Sequence, residues 1–474
     1  MARVQLKFLS ADEEELVHGQ SIRCLEELGV MIRSPLVLKM LEDAGARVDR
    51  DRQIARISEG MVDEAVKNAP RGFTLCARNP KQDMKIPVSG TPYAATTGLA
   101  NYMTDLDTGE RRNATRSDLA DFAKLADALD VVDFFWTVVV PMDVSDRSHA
   151  VHQLWTSLQN TTKHVQQVEV IDAEDARTQI DIAALVVGGR EELRKRPIFS
   201  VVSSPVSPLS FEKGAAEAQV ELSRAGIPIV SMTMPLSGFT SPVTVAGTMN
   251  VINVENLASL VISQTAAEGS PFVYSSAGVP ADMRTGTVPS GAAESPPLAA
   301  GLSQLANRYG LPCMMGGWGL SNDTRPGVTM SLSEVISYGA EMFGAIDLTC
   351  GFGALDGAKG ASLEQVVIDA FTWKNFRPCL RSMPVDEQSI AFDALRDVGH
   401  GGTFISHPHT LRNFRDSIFN RDEMVLRWEA TRSREMVPEA RAITKKIISE
   451  HKAEELDKGV LEKGDAIVTR YEKG

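Results

Sequence analysis

The sequence predicts an α/β chain built on a (β/α)8 TIM barrel, with an N-terminal α+β extension and a helical C-terminal extension. Two patterns and one quantity lead there. From about residue 91 to 375 short apolar runs alternate with stretches of helical period, which is the mark of parallel βαβ units. The cycle repeats eight times in one uninterrupted series, the count that closes a parallel sheet into a barrel. The chain has 474 residues, 43% of them apolar, enough for the core that such a barrel needs. An open doubly wound sheet is the alternative, since it would follow from a count wrong by one or two.

Residues 1–90 read as a small α+β region. "ADEEELVHGQSIRCLEELGV" is an amphipathic helix, and "SPLVLKMLEDAG" is a second one closed by Gly45. "ARVDRDRQIARIS" reads as a hairpin, "EGMVDEAVKNAP" as a helix and "FTLCAR" as a strand. Residues 91–375 form the barrel. Its strands are predicted at 93–98, 134–141, 164–170, 198–204, 227–233, 271–277, 312–316 and 346–351. The intervening helices are predicted at 116–129, 147–161, 173–188, 212–225, 243–267, 293–310 and 331–343, with a last one at 361–375. Residues 376–474 begin with an irregular segment containing "GHGGTFISHPHTLRNF" and continue as charged helices that wrap the barrel or make an oligomer contact.

The net charge of −13 is spread along the chain, which argues against a nucleic-acid surface. Five cysteines occur with no CxxC pair, as expected in a reducing compartment. The opening "MARVQLKFLSADEEELVHG" lacks the apolar stretch of a signal peptide, and no run approaches transmembrane length. The expectation is a cytoplasmic protein with no membrane partner.

In a barrel of this kind chemistry sits where strands pass into the following loops. The residues there are Thr96, Thr97, Asn101 and Tyr102 after strand 1, Glu169 after strand 3, and Ser203, Ser204 and Ser207 after strand 4. Thr233 and Met234 follow strand 5, and Ser275, Ser276 and the more distant Arg284 follow strand 6. Gly316, Gly317 and Trp318 follow strand 7, and Gly351 and Phe352 follow strand 8. No lysine ends a strand, so Schiff-base chemistry is disfavoured. No His/Asp/Glu cluster has metal-ligand spacing there and no carboxylate pair suits glycoside cleavage, so no metal ion is expected. Small hydroxyls, glycines and aromatics suit a reaction that needs positioning rather than proton transfer. The glycine loops "MGGWG" and "CGFGALDG" keep open a phosphate-binding lyase or isomerase, though neither has a neighbouring Lys or Arg. His407 and His409 in "HPHT" would point to opposite sides if extended, and a structural use is favoured. His149, His152 and His164 read as packing or surface residues. Trp318, flanked by glycines, is a barrel-mouth packing residue or a ligand contact.

Several stretches coincide with one family. "TDLDTGERRNATRSDLADFAKLADALDVVDF", "SPVSPLSFEKG", "GIPIVSMTMPLSGFTSPVTVAGTMNVINVENLASLVISQ", "PFVYSSAGVPADMRTG" and "HPHTLRNFR" resemble the trimethylamine methyltransferase superfamily over residues 15–430. The resemblance implies a (β/α)8 barrel that passes a methyl group from a methylamine or quaternary amine to the cobalt of a separate corrinoid protein. Trimethylamine-specific members carry pyrrolysine; this chain shows only ordinary residues and so resembles the non-pyrrolysine branch of glycine betaine methyltransferases.

A betaine leaves as a neutral tertiary amine, so orientation and desolvation suffice and no catalytic acid or base is expected. The resemblance then implies an aromatic cage for the ammonium from Trp318, Phe352 and Tyr93 or Tyr102, with Glu169 at the rim. The carboxylate would fall to Asn101, a backbone N–H or Arg284, and Gly316, Gly317 and Gly351 would let the corrin ring approach. No DxHxxG-type loop is present, so cobalamin is expected on the partner protein rather than on this chain. A homo-oligomer is expected, and a non-catalytic betaine-binding protein is the remaining alternative.

Overall fold

The computed structural model describes residues 2, 4–286, 288–289, 291–327, 332–431 and 434–473. Eight parallel strands form one sheet: β1 (Tyr93–Thr96), β2 (Phe135–Trp136), β3 (Val165–Gln167), β4 (Phe199–Ser203), β5 (Ile229–Thr233), β6 (Phe272–Ser276), β7 (Cys313–Gly317) and β8 (Leu348–Phe352). Their order is β1-β8-β7-β6-β5-β4-β3-β2, so each strand lies beside its predecessor and the last pairs with the first. The sheet closes between β1 and β2 through a parallel bridge, Ala95 to Phe134. Thr96 reinforces this seam: its hydroxyl donates to the Trp136 carbonyl at 2.6 Å and accepts from the Trp136 N–H at 3.0 Å.

Each strand is followed by a helix: α1 (Arg116–Ala128), α2 (His149–Asn160), α3 (Ala173–Val187), α4 (Lys213–Ala225), α5 (Val245–Ala266), α6 (Ser295–Tyr309), α7 (Leu332–Glu341) and α8 (Leu363–Phe376). Side chains fix several starts: Thr115 and Asp118 form a capping box for α1, and Asp172, Thr244 and Ser362 cap α3, α5 and α8. The helix predicted at 331–343 begins against residues 328–331, which lie outside the described set. The second strand is shorter than the predicted 134–141. Beyond Trp136 the Thr137 N–H donates to Gln166 and the Val140 N–H to Ala100, so the backbone is satisfied by single bonds rather than a ladder.

Helix α5 corrects one expectation. By length and composition it could cross a membrane, yet 72% of its apolar window is buried inside the protein. The helices Ala11–Glu27 and Glu59–Asn68 pack over it from outside while β5 and β6 lie beneath. A helix apolar all round is a core helix when it is covered all round.

The N-terminal region carries three helices and a small sheet in which Val30–Ile32 pairs in parallel with Ser210–Phe211 from the loop after β4. The strand Phe73–Leu75 pairs with Met84–Ile86, and this hairpin plugs the barrel from its N-terminal end. Leu75, Met84 and Ile86 join Phe134, Val230, Val273 and Leu348 in one buried cluster inside the barrel. At the other end, Tyr102–Thr104, Arg111–Asn113, Ala354–Leu355 and Gly360–Ala361 form a small sheet over the β1 and β8 loops. The last helix, Lys458–Lys473, lies against α2 and α3, where Trp155 Nε1 donates to Asp465 at 2.8 Å.

Leu75 is fully buried at the plug. Leu75→Ala is expected to lower stability by about 2–5 kcal/mol through lost burial and an unfilled cavity, read as a shift in the denaturant midpoint.

Candidate active site

Strand alternation decides which side chains reach the barrel interior. Trp136, Met232 and Met314 face inward in the same cluster as the plug, and Gln166 and Ser275 occupy the matching inward positions of β3 and β6. Register joins them: Gln166 lies opposite Trp136, Met232 opposite Ser275, and Ser275 opposite Met314. The Gln166 Nε2 reaches the Met314 sulfur at 3.6 Å, spanning the barrel from β3 to β7. These five side chains form one buried layer of the barrel interior, each 0–9% exposed, which we take as the floor beneath the mouth at the strand C-terminal ends. Trp136 Nε1 and Gln166 Oε1 are buried without a hydrogen-bond partner among the described residues. They are two of eleven such side-chain atoms among the described residues, Trp318 Nε1 and Trp373 Nε1 included, so it is their place inside the barrel that singles them out. Gly98 stands against the indole: a Cβ there would lie 2.6–2.7 Å from Trp136 Cε2 and Nε1. Ser275 is among the residues that follow the strands; Trp136, Gln166, Met232 and Met314 are not, and the period-two pattern within "FFWT" and "HVQQV" is the signal that marks the first two.

The sequence-predicted residues are dispersed. Trp318 is buried behind the sheet, stacked on Phe376 at 4.6 Å between centroids and 5.3 Å from Trp373. Phe352 is fully buried on the same side, 6.2 Å from Trp373. Both rings are packing under α8 and offer no free face to a cation at the mouth. The cause is a register irregularity in β7 between Met314 and Gly317, with Gly316 at φ +70°, after which Trp318 turns outward. Gly351, at φ +127°, has no room for a Cβ because the Trp318 carbonyl oxygen would lie 2.3 Å from it. A Cβ on Gly317 would meet Leu320 and one on Gly316 would meet Met342. These three glycines accommodate the protein's own atoms, which removes the motive for both the corrin-facing and the phosphate-cradle readings.

Tyr93 opens β1 and so lies at the plugged end, against the interior cluster. Tyr102 is partly exposed in the small sheet, with the Arg111 guanidinium carbon 4.1 Å from its ring centroid. Asn101 is exposed beside it, its N–H donating to Lys359. Arg284 is 89% exposed on the loop after β6 and pairs with Asp282 at 3.2 Å. Glu169 sits at the rim and turns to the N-terminus of α2, accepting from His149 Nε2 at 2.9 Å. His407 caps the helix Pro408–Ser417, accepting the His409 N–H at 3.1 Å, so that pair is built into a helix start. His164, inside the barrel, bonds Cys76 O and Ser200 Oγ, and burial lowers its pKa to about 4, so it is neutral. Glu341 on α7 lies behind the β7 irregularity. Burial pushes its carboxyl up to about 7, opposed by hydrogen bonds from the Gly317 N–H and Ser337. Among the described residues no group of three or more His, Cys, Asp or Glu is gathered for a metal ion.

The trimethylamine methyltransferase (MTTB) family profile matches residues 2–474. The chain belongs to the trimethylamine methyltransferase family. It is therefore a methyltransferase, as its similar curated proteins are. A trimethylamine methyltransferase, MttB, of Desulfitobacterium hafniense is 31% identical over 420 residues, covering 88% of this chain and 84% of that protein. A glycine betaine methyltransferase of the same species is 27% identical over 413 residues, covering 87% and 85%. The fold of the family member is also that of monomethylamine methyltransferase (MtmB) of Methanosarcina barkeri. The TM-score is 0.51 at 11% identity, over 98% of this chain and 88% of that one.

The rim pair has a pH signature. The hydrogen bond that His149 donates to Glu169 is the largest cause raising the His149 pKa above the ordinary histidine value. Its stabilisation is fully present below the unfolded histidine pKa and is lost as pH rises through the raised folded value. Glu169→Gln is expected to move the His149 titration to lower pH, followed by NMR of the imidazole C–H signals.

Proposed function

We propose that the chain moves a methyl group from a quaternary amine, with glycine betaine the first candidate, to Co(I) of a corrinoid held by a partner protein. The products are the tertiary amine, dimethylglycine in the case of glycine betaine, and the methylated corrinoid. In the transfer the C–N bond breaks, its electron pair stays on nitrogen, and the methyl carbon bonds to cobalt. The observation that carries the reading is the floor of the mouth: an indole, two thioethers, an amide and a hydroxyl, none with a formal charge. A quaternary ammonium donates no hydrogen bond and its departing amine needs no proton, so a neutral polarizable floor with one aromatic ring matches its requirements. The similarity to a protein named glycine betaine methyltransferase, and the absence of pyrrolysine from the sequence, support the quaternary substrate over a tertiary one.

The residues divide the work. Trp136 supplies the π face for the cation, and Gln166 Oε1 lies beside it as an acceptor for the positively polarised methyl groups. Met232 and Met314 fill the floor and keep water from the reacting carbon. Asn101 and Arg284, on loops of the same face, are the rim candidates for the carboxylate of a betaine.

The test mixes the purified chain with chemically reduced cobalamin and follows conversion of the Co(I) to the methyl-Co(III) spectrum. Glycine betaine, carnitine, proline betaine, choline and trimethylamine are compared in parallel. Methylation is expected from a quaternary amine and not from trimethylamine; turnover of trimethylamine alone would overturn the substrate assignment. Calorimetric binding of glycine betaine without any transfer would instead support a non-catalytic binding protein.

Trp136→Phe is expected to retain most of the affinity for the amine. Trp136→Ala is expected to raise KM by roughly 2- to 30-fold, the equivalent of a lost cation–π contact of about 0.5–2 kcal/mol. An unchanged KM in a folded Trp136→Ala protein would remove the ring from the site.

A further inference from the structure

The barrel interior is lined by soft atoms. Four of the twelve buried residues in its cluster carry sulfur: Met84 on the plug hairpin, Met232 on β5, Met314 on β7 and Cys350 on β8. The other eight are aliphatic or aromatic, Trp136 among them. None of the eight strands contains an Asp, Glu, Lys or Arg. Sulfur is highly polarizable, so this lining acts on a ligand chiefly through dispersion. The Gln166 amide is fixed within it. Its Nε2 lies 3.6 Å from the Met314 sulfur, and its Oε1 is buried with no partner among the described residues. That oxygen can only accept. The neighbouring Ser275 hydroxyl cannot satisfy it, because it donates to the Met314 carbonyl at 2.8 Å.

Each feature sets a requirement on the methyl donor. It is a cation that leaves as a neutral molecule, it has no hydrogen to donate, and it gains from polarizable neighbours. A trialkylsulfonium meets these requirements as a tetraalkylammonium does, and it differs in two ways. Its central atom is larger and more polarizable than nitrogen, so it gains more from the thioethers and the indole. It also carries three substituents instead of four. A quaternary nitrogen is enclosed by carbon and meets an oxygen only through weak C–H contacts. A sulfonium sulfur is pyramidal and open to an oxygen that approaches opposite one of its C–S bonds. The unpartnered Gln166 Oε1 therefore has a direct use with a sulfonium and only an indirect one with an ammonium. Dimethylsulfonioacetate is the sulfonium counterpart of glycine betaine: the charged centre changes, and the acetate arm with its carboxylate is kept.

We propose that the same mouth accepts small methylsulfonium carboxylates as a second class of methyl donor, with the Gln166 carbonyl oxygen in contact with the sulfonium sulfur. The inference rests on the proposed transfer from a quaternary amine to Co(I) at this site. In the sulfonium reaction a CH3–S bond breaks, its electron pair stays on sulfur, and the methyl carbon bonds to cobalt, which passes from Co(I) to methyl-Co(III). The leaving group is a neutral thioether centre, methylthioacetate in the case of dimethylsulfonioacetate, and no proton is taken up. The test gives the purified full chain chemically reduced cobalamin and either dimethylsulfonioacetate or glycine betaine. The rate without protein is subtracted, because a sulfonium alkylates Co(I) unaided. Protein-dependent methylation is expected from both donors, with the lower KM for the sulfonium. Transfer from glycine betaine with the sulfonium left at its protein-free rate would overturn the proposal and leave the quaternary-amine reading standing. Transfer from neither would overturn both. Gln166→Leu is expected to raise the ratio of sulfonium KM to betaine KM by about 2- to 10-fold, the range of one polar contact; an unchanged ratio in a folded variant removes the oxygen–sulfur contact. Calorimetry of the wild type without cobalamin tests the same contact independently of the variant: dimethylsulfonioacetate is expected to bind at least as tightly as glycine betaine, and weaker binding counts against the proposal.

Discussion

The arrangement of the mouth depends on how the barrel closes. Between β1 and β2 the backbone supplies only a sparse set of bonds, and the Thr96 hydroxyl clasps both the N–H and the carbonyl of Trp136. A closed sheet has no edge to slip along, so every residue on every strand is assigned either to the inside or to the layer under the helices. The clasp therefore joins the last gap in the wall and sets the direction of the one indole at the mouth floor. Gly98 completes the setting by leaving space where any side chain would strike that ring.

The barrel was legible in the sequence because short strand-like runs, most of them apolar, alternate eight times with stretches of helical length. All eight strands and their following helices occur at the predicted places, with ends shifted by a few residues where backbone pairing stops early. The chain's family was legible from long matching stretches such as "PFVYSSAGVPADMRTG". The expectation that no run approaches transmembrane length fails at α5, because apolarity alone does not separate a helix buried among others from one buried in lipid.

The site was harder to read, and Trp318 shows why. Its position after β7 is right, but side-chain direction depends on counting residues along a strand, and one irregularity reverses the count. The left-handed Gly316 introduces such a break, and Glu341 braces it from behind by accepting the Gly317 N–H. Nothing local in "MMGGWG" tells whether its glycines open space for a ligand or for neighbouring side chains. Leu320 and Met342, which take up the space at Gly317 and Gly316, both lie beyond it in sequence. Trp136 and Gln166 were hidden for the opposite reason: they lie within strands, where apolar runs look like ordinary core, and only the parity of the strand brings them to the mouth floor.

The hairpin that seals the far end has a kinetic meaning under the proposed reaction. With Leu75, Met84 and Ile86 occupying that end, the proposed reaction has the opposite, C-terminal end of the barrel as its entrance. The small amine and the much larger carrier must use the same entrance, and a carrier seated over it is also its stopper. Binding is then compulsory in order: the amine enters first, the carrier closes the vessel, and the demethylated amine departs after the carrier has lifted. The seal that stabilises the fold thereby makes the dwell time of the carrier the clock for product release.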